Sequence, residues 1–556
     1  MNNSDIADQL RLYADLSELH GGNPFKIKSY SIAAFRIDKL PEVLAEKDLA
    51  QLEQIEGIGK SVATKIHELN TTGSFTELET LKQQTPAGVM DLFRVKGIGP
   101  KKITYIWHEL GIESIGELLY ACKENRLAKA KGFGLKTQDS IRKNIEFILA
   151  SADKFHYAHL ERTALQLIDV LKQNPLVSQV STCGPLRRKC EILDRIDLLL
   201  ASKTTEKLVE SLKGLTFLHE AKTEGNSITA KINGMIPIQI QVVEDAAFAY
   251  QLFLQTGSEE HLAHLGEIEN QIITQEAEIY TSNGMDYIEP ELREGRNEVE
   301  KARLHTLPKL IELKDLKGSL HNHSTWSDGL NTLEEMAVHC RSLGYTYLGI
   351  CDHSKSAFYA NGLKEDRILQ QHHEIDMLNK KLEPFRIFKG IESDILYDGQ
   401  LDYEPAVLKS FDFIVASVHS NLKMTEEKAM ERLMGAIENP YTTILGHPTG
   451  RLLLMREGYP IDHRRIIDAC AAHGVVLELN ANPYRLDIDW RWIDYALNKG
   501  VRISINPDAH EKEGFNDMYY GTCVARKGGL TREMCFNSLS MDEMADYFAK
   551  RKAEIQ

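Results

Sequence analysis

Residues 317–329 read KGSLHNHSTWSDG, and they carry the side chains with the clearest chemical potential in the chain. His321 and His323 follow a short apolar lead, and Asp328 comes shortly after them. If the lead is a β-strand, residues two apart share one face, so both imidazoles point the same way. Two imidazoles and a carboxylate at a strand end can bind a divalent metal ion. Because the chain has twenty histidines, His-x-His alone fits ordinary hydrogen-bonded side chains equally well.

The same pattern recurs further along the chain and favours the metal interpretation. Six more apolar, β-rich runs each end in polar residues that can bind a metal ion or contact a phosphate. These residues are Asp352 with His353, Glu392, His419, His447, Asn480 with Asn482, and Asp508 with His510. Amphipathic stretches such as 333–343 and 461–473 alternate with the runs. Alternation of strands and helices, with polar residues at the carboxyl ends of the strands, predicts a seven-stranded (β/α) barrel.

These motifs resemble the PHP (polymerase and histidinol phosphatase) domain over roughly residues 315–556. The resemblance implies nine metal ligands, and all nine are present: His321, His323, Asp328, His353, Glu392, His419, His447, Asp508 and His510. It also implies three divalent ions, which the donor types allow to be Mn²⁺, Zn²⁺ or Fe²⁺. One ion would bind His321, His323, Glu392 and Asp508, and a second would bind Asp328, His353 and His510. The third would bind His419 and His447, with Glu392 bridging to the first.

Length and composition place the chain among multidomain globular proteins. It has 556 residues, 42% of them hydrophobic and 26% charged, and its net charge is −15. We find no apolar run long enough for a membrane span and no signal-like start. Eight cysteines without C-x-x-C spacing are typical of a reducing compartment, so we expect a cytoplasmic protein with no membrane partner.

A Gly-x-Gly motif occurs three times in the N-terminal region, which is predicted to be helical. Each copy is followed by lysine and an amphipathic stretch, the pattern of a helix-hairpin-helix repeat that binds a DNA backbone. The expected contacts are Gly57, Gly59, Lys60, Gly97, Gly99, Lys101, Lys102, Gly132 and Gly134. A single copy fits a helix C-cap and turn equally well. Residues 92–150 hold eleven Lys or Arg against six Asp or Glu, which favours DNA binding despite the acidic total.

The first 150 residues resemble the lyase-like and fingers regions of family X DNA polymerases, and residues 151–312 resemble the palm and thumb. The family resemblance implies that Lys65 can form a Schiff base with a 5′-deoxyribose phosphate, although a lysine that only contacts phosphate fits as well. We therefore predict five domains: a lyase-like helix-hairpin-helix domain (1–85), a fingers-like one (86–150), a nucleotidyltransferase-like α/β palm (151–244), a thumb (245–312) and the PHP barrel (313–556).

The palm departs from its family at the catalytic carboxylates. Nucleotidyl transfer by two metal ions needs three carboxylates, and the matching positions here are Arg195, Asp197 and Gln239. Asp194 would replace Arg195 only through a β-bulge, since 194 and 197 differ by an odd number. We therefore predict a palm without polymerase activity.

The resemblance to family X enzymes with a PHP domain implies a metal-dependent 3′→5′ exonuclease that trims 3′ ends of gapped or nicked DNA in repair, with abasic-site cleavage as a further implied activity. Lys355, Arg451 and Arg485 lie just beyond ligand-bearing strand ends, and we expect them either to contact substrate or to be solvated loop charges. Three alternatives stay open: a gap-filling polymerase with a PHP exonuclease, a small-molecule phosphatase of the histidinol-phosphatase type, and a non-enzymatic binder of DNA structures.

Overall fold

The structure is a computed structural model that describes residues 1–55, 57–123, 127, 132–150, 154–266, 268, 273–454 and 457–555. Its contacts divide the chain into two compact units, Met1–Ala152 and Asp153–Gln556. Within the described residues, no helix is both long enough and apolar enough to cross a membrane. The finer domain boundaries at 85, 244 and 312 stay predictions.

The first unit is helical, as the sequence predicts. Its helices are α1 (Asn3–Leu19), α2 (Pro24–Ile37), α3 (Leu49–Glu53), α4 (Lys60–Thr72), α5 (Thr76–Gln84), α6 (Ala87–Leu92), α7 (Pro100–His108), α8 (Ile115–Lys123) and α9 (Leu135–Ala150). The side chains of Asn2 and Asp48 cap α1 and α3 by accepting hydrogen bonds from backbone amides of the first turn. Fully buried residues such as Leu10, Ile66 and Ile106 form one core.

The three Gly-x-Gly motifs share one backbone geometry. Gly57, Gly97 and Gly132 all have φ between 87° and 92°, a conformation that glycine adopts at little cost. The second glycine of each motif directly precedes the first residue of α4, α7 or α9. The repeat read from the sequence is therefore three hairpins, each opening a helix.

The second unit begins with the palm. Its elements are β1 (Phe155–His156), α10 (Tyr157–Leu171), β2 (Gln179–Thr182), α11 (Gly184–Arg187), β3 (Ile192–Leu193), β4 (Ile196–Ala201), α12 (Thr205–Lys213), β5 (Leu218–Glu224), β6 (Ser227–Ile232) and β7 (Ile236–Val243). Five strands form a sheet in the order β2-β4-β7-β6-β5, in which only β4 and β7 are parallel. The thumb follows with α13 (Phe248–Thr256), α14 (Glu259–Leu265), α15 (Ala277–Thr281) and α16 (Glu298–Arg303).

The C-terminal region is the seven-stranded parallel barrel that the sequence predicts. Its strands are β8 (Gly318–Ser319), β9 (Tyr347–Ile350), β10 (Arg386–Asp394), β11 (Phe413–Ser417), β12 (Ile444–Leu445), β13 (Val476–Asn480) and β14 (Ile503–Asn506), paired in sequence order. Its helices are α17 (Leu333–Ser342), α18 (Glu365–Leu382), α19 (Pro405–Leu408), α20 (Glu426–Glu438), α21 (His463–His473), α22 (Ile493–Asn498), α23 (Met518–Lys527) and α24 (Met541–Glu554).

The buried side chain of Asn537 bridges the seam between the first and last barrel strands. Its Nδ2 donates to Gly318 O at 3.1 Å, and its Oδ1 accepts from Ile505 N at 2.7 Å. Nearer the mouth, His323 N donates to Ala509 O at 2.8 Å. The barrel is thus nearly closed, and the loops that follow β8 and β14 are brought side by side.

We expect Asn537→Ala to lower the free energy of unfolding by about 2–4 kcal/mol, because it leaves buried backbone groups of β8 and β14 without partners. Urea titration of the full chain would measure this loss. The exposed Asn498 offers a matched control, and Asn498→Ala should change stability by no more than about 0.5 kcal/mol. Equal stability of the two variants would contradict the bridging role.

Candidate metal centre and palm cleft

All nine predicted ligands lie at or just beyond the carboxyl ends of the barrel strands. They are His321, His323 and Asp328 after β8, His353 after β9, Glu392 within β10, His419 after β11, His447 after β12, and Asp508 and His510 after β14. Strand β8 is shorter than the sequence suggested, so both histidines of His-x-His lie beyond its last paired residue. The side chains of His321, His323 and Glu392 are fully buried, whereas those of Asp328 and His510 are partly exposed.

Glu392 is the centre of this cluster. Its Oε1 lies 3.2 Å from His321 Nε2 and 3.1 Å from the Nε2 atoms of both His419 and His447. Its Oε2 lies 2.9 Å from His353 Nδ1. Three imidazole nitrogens therefore point at one carboxylate oxygen.

Two further carboxylates serve the other histidines. Asp508 Oδ1 lies 3.0 Å from His323 Nε2 and 3.5 Å from His321 Nε2. Asp328 Oδ1 lies 3.6 Å from His353 Nε2 and 3.4 Å from His510 Nε2. Three sets of donor atoms, each within 4.8 Å of one another, could each hold a metal ion: His323 with Asp328, His353 and His510; His321 with His323 and Asp508; and His353 with Glu392 and His419.

The electrostatics of the cluster favour cations. Burial would raise the pKa of Glu392, but the surrounding imidazoles, His419 first among them, hold it well below its usual range. Burial likewise opposes ionisation of Asp508, and His321 outweighs it, so the pKa of Asp508 is also well below its usual range. Burial and the rings of His510 and His353 lower the pKa of His323 to about 3, which keeps that imidazole neutral at physiological pH.

The donor set fits divalent metal ions. One carboxylate oxygen cannot accept well-directed hydrogen bonds from three imidazoles, whereas a cation between them satisfies the oxygen and the nitrogen lone pairs together. Histidine and carboxylate donors without a thiolate suit Mn²⁺, Zn²⁺ or Fe²⁺. The arrangement can therefore hold metal ions at the open mouth of the barrel.

The palm has a cleft of about 600 Å³ whose lining includes Arg195, Asp197 and Gln239. Asp197 pairs with Gln239 in the parallel register of β4 and β7. Arg195 donates from Nε to Asp197 Oδ1 at 2.8 Å. The three positions do converge, but an ion pair and an amide occupy the place where three carboxylates would meet.

Asp194 lies in the bend between β3 and β4, outside either strand. The sequence argument against Asp194 relied on the alternation of side chains along a strand. That alternation does not apply to a residue in a bend. Its side chain is exposed, and its charge adds to the burial that raises the pKa of Asp197. The direct contact between Arg195 and Asp197 is therefore the stronger evidence for a changed palm site.

Lys65 in α4 is engaged by two carboxylates. Its Nζ lies 3.1 Å from Glu68 and 2.5 Å from Glu77. Burial lowers the pKa of Lys65, but these two glutamates outweigh it and raise the pKa above its usual range. A Schiff-base nucleophile must be a neutral amine, so this arrangement does not activate Lys65. Its lyase role stays a prediction.

Three family models match parts of the chain. The helix-hairpin-helix domain family matches residues 1–75, the SAM-like helix-hairpin-helix tandem matches 89–145, and the PHP domain matches 319–482. The DNA polymerase/3′-5′ exonuclease PolX of Bacillus subtilis (strain 168) is 34% identical, over 99% of this chain and 100% of its own length. The chain belongs to the PolX family.

Two shorter relatives match less than half of this chain. A probable phosphatase from Thermoanaerobacter sp. (strain X514) is 25% identical over 39% of this chain and 95% of its own length. A probable phosphatase from Acetivibrio thermocellus is 25% identical over 42% of this chain and 96% of its own length.

Three buried carboxylates outside the predicted ligand set surround the ligands, and sequence reasoning had noted only Asp352 among them, as a strand-end residue. Glu478 Oε1 lies 2.8 Å from His321 Nδ1, and its Oε2 accepts from His447 N at 2.7 Å. Asp394 Oδ1 lies 3.0 Å from His419 Nδ1. Asp352 accepts hydrogen bonds from Ser324 and Ser327 in the loop that carries Asp328. Such partners fix the orientation of metal-binding imidazoles. The sequence did contain a signal for Glu478, because it is a charged residue within the otherwise apolar run VVLELN.

Three cations were predicted just beyond the ligand-bearing strand ends, and they are called the rim cations here: Lys355, Arg451 and Arg485. They differ in their contacts. Lys355 Nζ pairs with Glu365 at 2.8 Å. Arg451 Nη1 pairs with Asp489 at 2.8 Å, and its Nε donates to Arg485 O at 3.0 Å, so its guanidinium holds the loop after β13. Arg485 Nε lies 3.8 Å from Asp508 Oδ2, and its side chain is 20% exposed. Arg485 is thus the rim cation best placed to meet a substrate beside the ligands.

We expect Glu478→Gln to weaken metal binding by about 10- to 100-fold, because the amide cannot supply the negative charge that orients His321. Titration of metal-stripped protein with Mn²⁺ or Zn²⁺ would measure the affinity. Glu365→Gln, on the exposed rim, is the matched control and should leave that affinity unchanged. An unchanged affinity in Glu478→Gln would remove Glu478 from the metal centre.

Proposed function

We propose that this protein binds DNA and hydrolyses phosphodiester bonds at 3′ ends, as a metal-dependent 3′→5′ exonuclease acting in repair. The observation that carries the proposal is the intact cluster of imidazoles around Glu392 at an open barrel mouth. The name of the Bacillus subtilis relative, which includes 3′-5′ exonuclease, supports this reaction. Gapped, nicked and 3′-ended DNA are the proposed substrates.

We assign three metal ions to the cluster. His321, His323, Glu392 and Asp508 would hold the first, Asp328, His353 and His510 would hold the second, and His419 and His447 with Glu392 would hold the third. His323 and His353 each belong to two of the three donor sets described above. This sharing supports a cluster of closely spaced ions. When bound, such ions supply Lewis acidity toward the phosphate and lower the pKa of a water molecule for attack near neutral pH.

The residues of the chain have separate tasks in this reaction. Glu392 and Asp508 stay anionic and hold positive charge at the mouth. Glu478 and Asp394 keep His321 and His419 in the tautomer and orientation that present a lone pair to the centre. Arg485 orients the scissile phosphate through a non-bridging oxygen, since its guanidinium lies beside Asp508.

The palm is proposed to have lost polymerase activity. Three carboxylates normally offset the repulsion between two metal ions and bind them directly. Here Arg195 brings a positive charge to the carboxylate that would bind a metal ion, and like charges ~4 Å apart repel by about 4 kcal/mol at a protein surface. The ion pair at 2.8 Å and the amide of Gln239 support this part of the proposal.

The three hairpins support DNA as the substrate. Gly59, Gly99 and Gly134 have no left-handed φ, and a Cβ added to any of them would meet no described heavy atom within 4 Å. Neither backbone conformation nor internal packing therefore requires glycine there. Close approach of an external backbone, such as DNA phosphates, does require it.

A small-molecule phosphatase is the second candidate, because proteins named probable phosphatases align over almost their whole length with 39–42% of this chain. The hairpins separate the two candidates. A phosphatase would act on small phosphomonoesters and would not gain from DNA binding, whereas the exonuclease should act on DNA ends and be tethered by the hairpins.

We expect the purified chain with Mn²⁺, dNTPs and gapped DNA whose primer is labelled at its 5′ end to shorten the primer and not extend it. Denaturing gels would show the products, and chelation with EDTA should abolish shortening. His321→Ala should be inactive because it removes a donor from the cluster. The double variant Arg195→Asp/Gln239→Asp tests whether restored carboxylates bring back extension.

Extension by the natural protein or by His321→Ala, clearly above a reaction without protein, would refute the loss of polymerase activity. Absence of shortening, with hydrolysis of small phosphomonoesters, would instead establish the phosphatase alternative.

We expect Gly59→Ser/Gly99→Ser to weaken binding of gapped duplex at least ~10-fold while leaving stability nearly unchanged, since serine is also a good N-cap residue. Fluorescence anisotropy at several salt concentrations would measure affinity, and thermal melting would measure stability. Gly116→Ser is the matched control, because Gly116 is exposed in α8 outside the hairpins. Unchanged affinity in the double variant would place the DNA contact elsewhere.

A further inference from the structure

Phe358 lies in the loop between β9 and α18, and its ring is 86% exposed. Among the described residues only Phe25 is an equally exposed large apolar side chain. A single exposed apolar side chain is ordinary at a protein surface, so the interest of Phe358 lies in its position in the fold.

The loop that carries Phe358 is anchored to the metal centre at both ends. Leu363 N donates to the carbonyl oxygen of His353, a predicted ligand, at 2.8 Å. Gly362 closes the loop against Ser354, since a Cβ on Gly362 would lie 1.9 Å from Ser354 O.

Its midpoint is anchored as well. Ser356 Oγ donates to Asp394 Oδ2 at 3.0 Å, and Asp394 in turn lies 3.0 Å from His419 Nδ1. The amide of Ser356 donates to Asp402 at 2.6 Å. Phe358 is two residues from Ser356, so their Cα atoms are at most about 7 Å apart. The backbone at Phe358 therefore lies close to Ser356, which is linked through Asp394 to the predicted ligand His419.

The chemistry around the ring points to a flat, apolar ligand group. The nearest predicted cation in the loop, Lys355, pairs with Glu365 and lies over the ring of Tyr403 at 5.1 Å, not over Phe358. A phenyl ring offers a π-face and no hydrogen-bonding group. Such a surface binds any nucleobase by stacking and does not select among them.

We propose that Phe358 stacks on the terminal nucleobase of the 3′ end while the adjoining phosphodiester lies at the metal centre. This rests on the proposed exonuclease function and deepens it, because it assigns the binding site for the leaving nucleotide. It also gives the barrel a preference for unpaired ends, since a base must leave its partner strand before an aromatic ring can cover it.

The test uses the full chain with Mn²⁺ and single-stranded oligonucleotides that end either in a normal nucleotide or in a tetrahydrofuran abasic residue. The natural protein should favour the base-bearing end by about 10-fold in kcat/KM. In Phe358→Ala this ratio should fall to about 1, and in Phe358→Tyr it should persist. Because the ring is exposed, neither substitution disturbs the core.

Tyr397→Ala is the matched control. Tyr397 is 59% exposed on the loop after β10, where Lys428 Nζ covers its ring at 4.1 Å. That variant should keep the ratio of the natural protein.

An unchanged ratio in Phe358→Ala, or an equal loss on both ends, would overturn the stacking role. If Phe358→Ala changes the kcat/KM ratio only for oligonucleotides whose abasic residue is the penultimate one, the assignment to the terminal base is wrong. If the natural protein shortens neither oligonucleotide, the exonuclease function itself fails, and this inference fails with it for a distinguishable reason.

Discussion

The buried carboxylate of Glu392 is the constraint on which the barrel depends. An isolated charge without solvent access is strongly destabilising, so it must be compensated by opposite charge or by metal ions. His321, His353, His419 and His447 surround it, and each comes from a different strand end. Only a nearly closed barrel brings those ends together, which is why the seam at Asn537 matters for the site as well as for the fold.

The same electrostatic reasoning distinguishes the two clefts of this chain. At the barrel mouth, imidazoles leave room for cations between themselves and the carboxylates. In the palm, the guanidinium of Arg195 neutralises Asp197 directly and takes the place a metal ion would need. The palm is nevertheless bound to the barrel: Lys527 at the end of α23 is almost fully buried, donates to Arg188 O at 3.0 Å and pairs with Glu294. These contacts give the palm a structural role beside the barrel.

Much of the candidate site was predictable because strand ends are marked locally. Apolar runs that finish in histidine, glutamate or aspartate, together with the PHP resemblance, gave the nine predicted ligands, and the Gly-x-Gly copies predicted hairpins that share one φ. Glu478 and Asp394 were missed because nothing next to them in sequence reveals their partners. Glu478 and His321 are 157 residues apart, and Asp394 looks like an ordinary strand-end residue until His419 lies against it.

The sequence by itself determined the order and type of the donor groups, the helical repeat and the seven-stranded alternation, since each depends on patterns within a few residues. Only the tertiary structure decided which groups meet. It placed Glu392 at the centre, turned Arg451 toward Asp489 and left Arg485 beside Asp508. The physical reason is that local periodicity specifies which face a side chain occupies. The side chains that meet that face come from strands far apart in sequence. Closure of the barrel determines which of them come into contact.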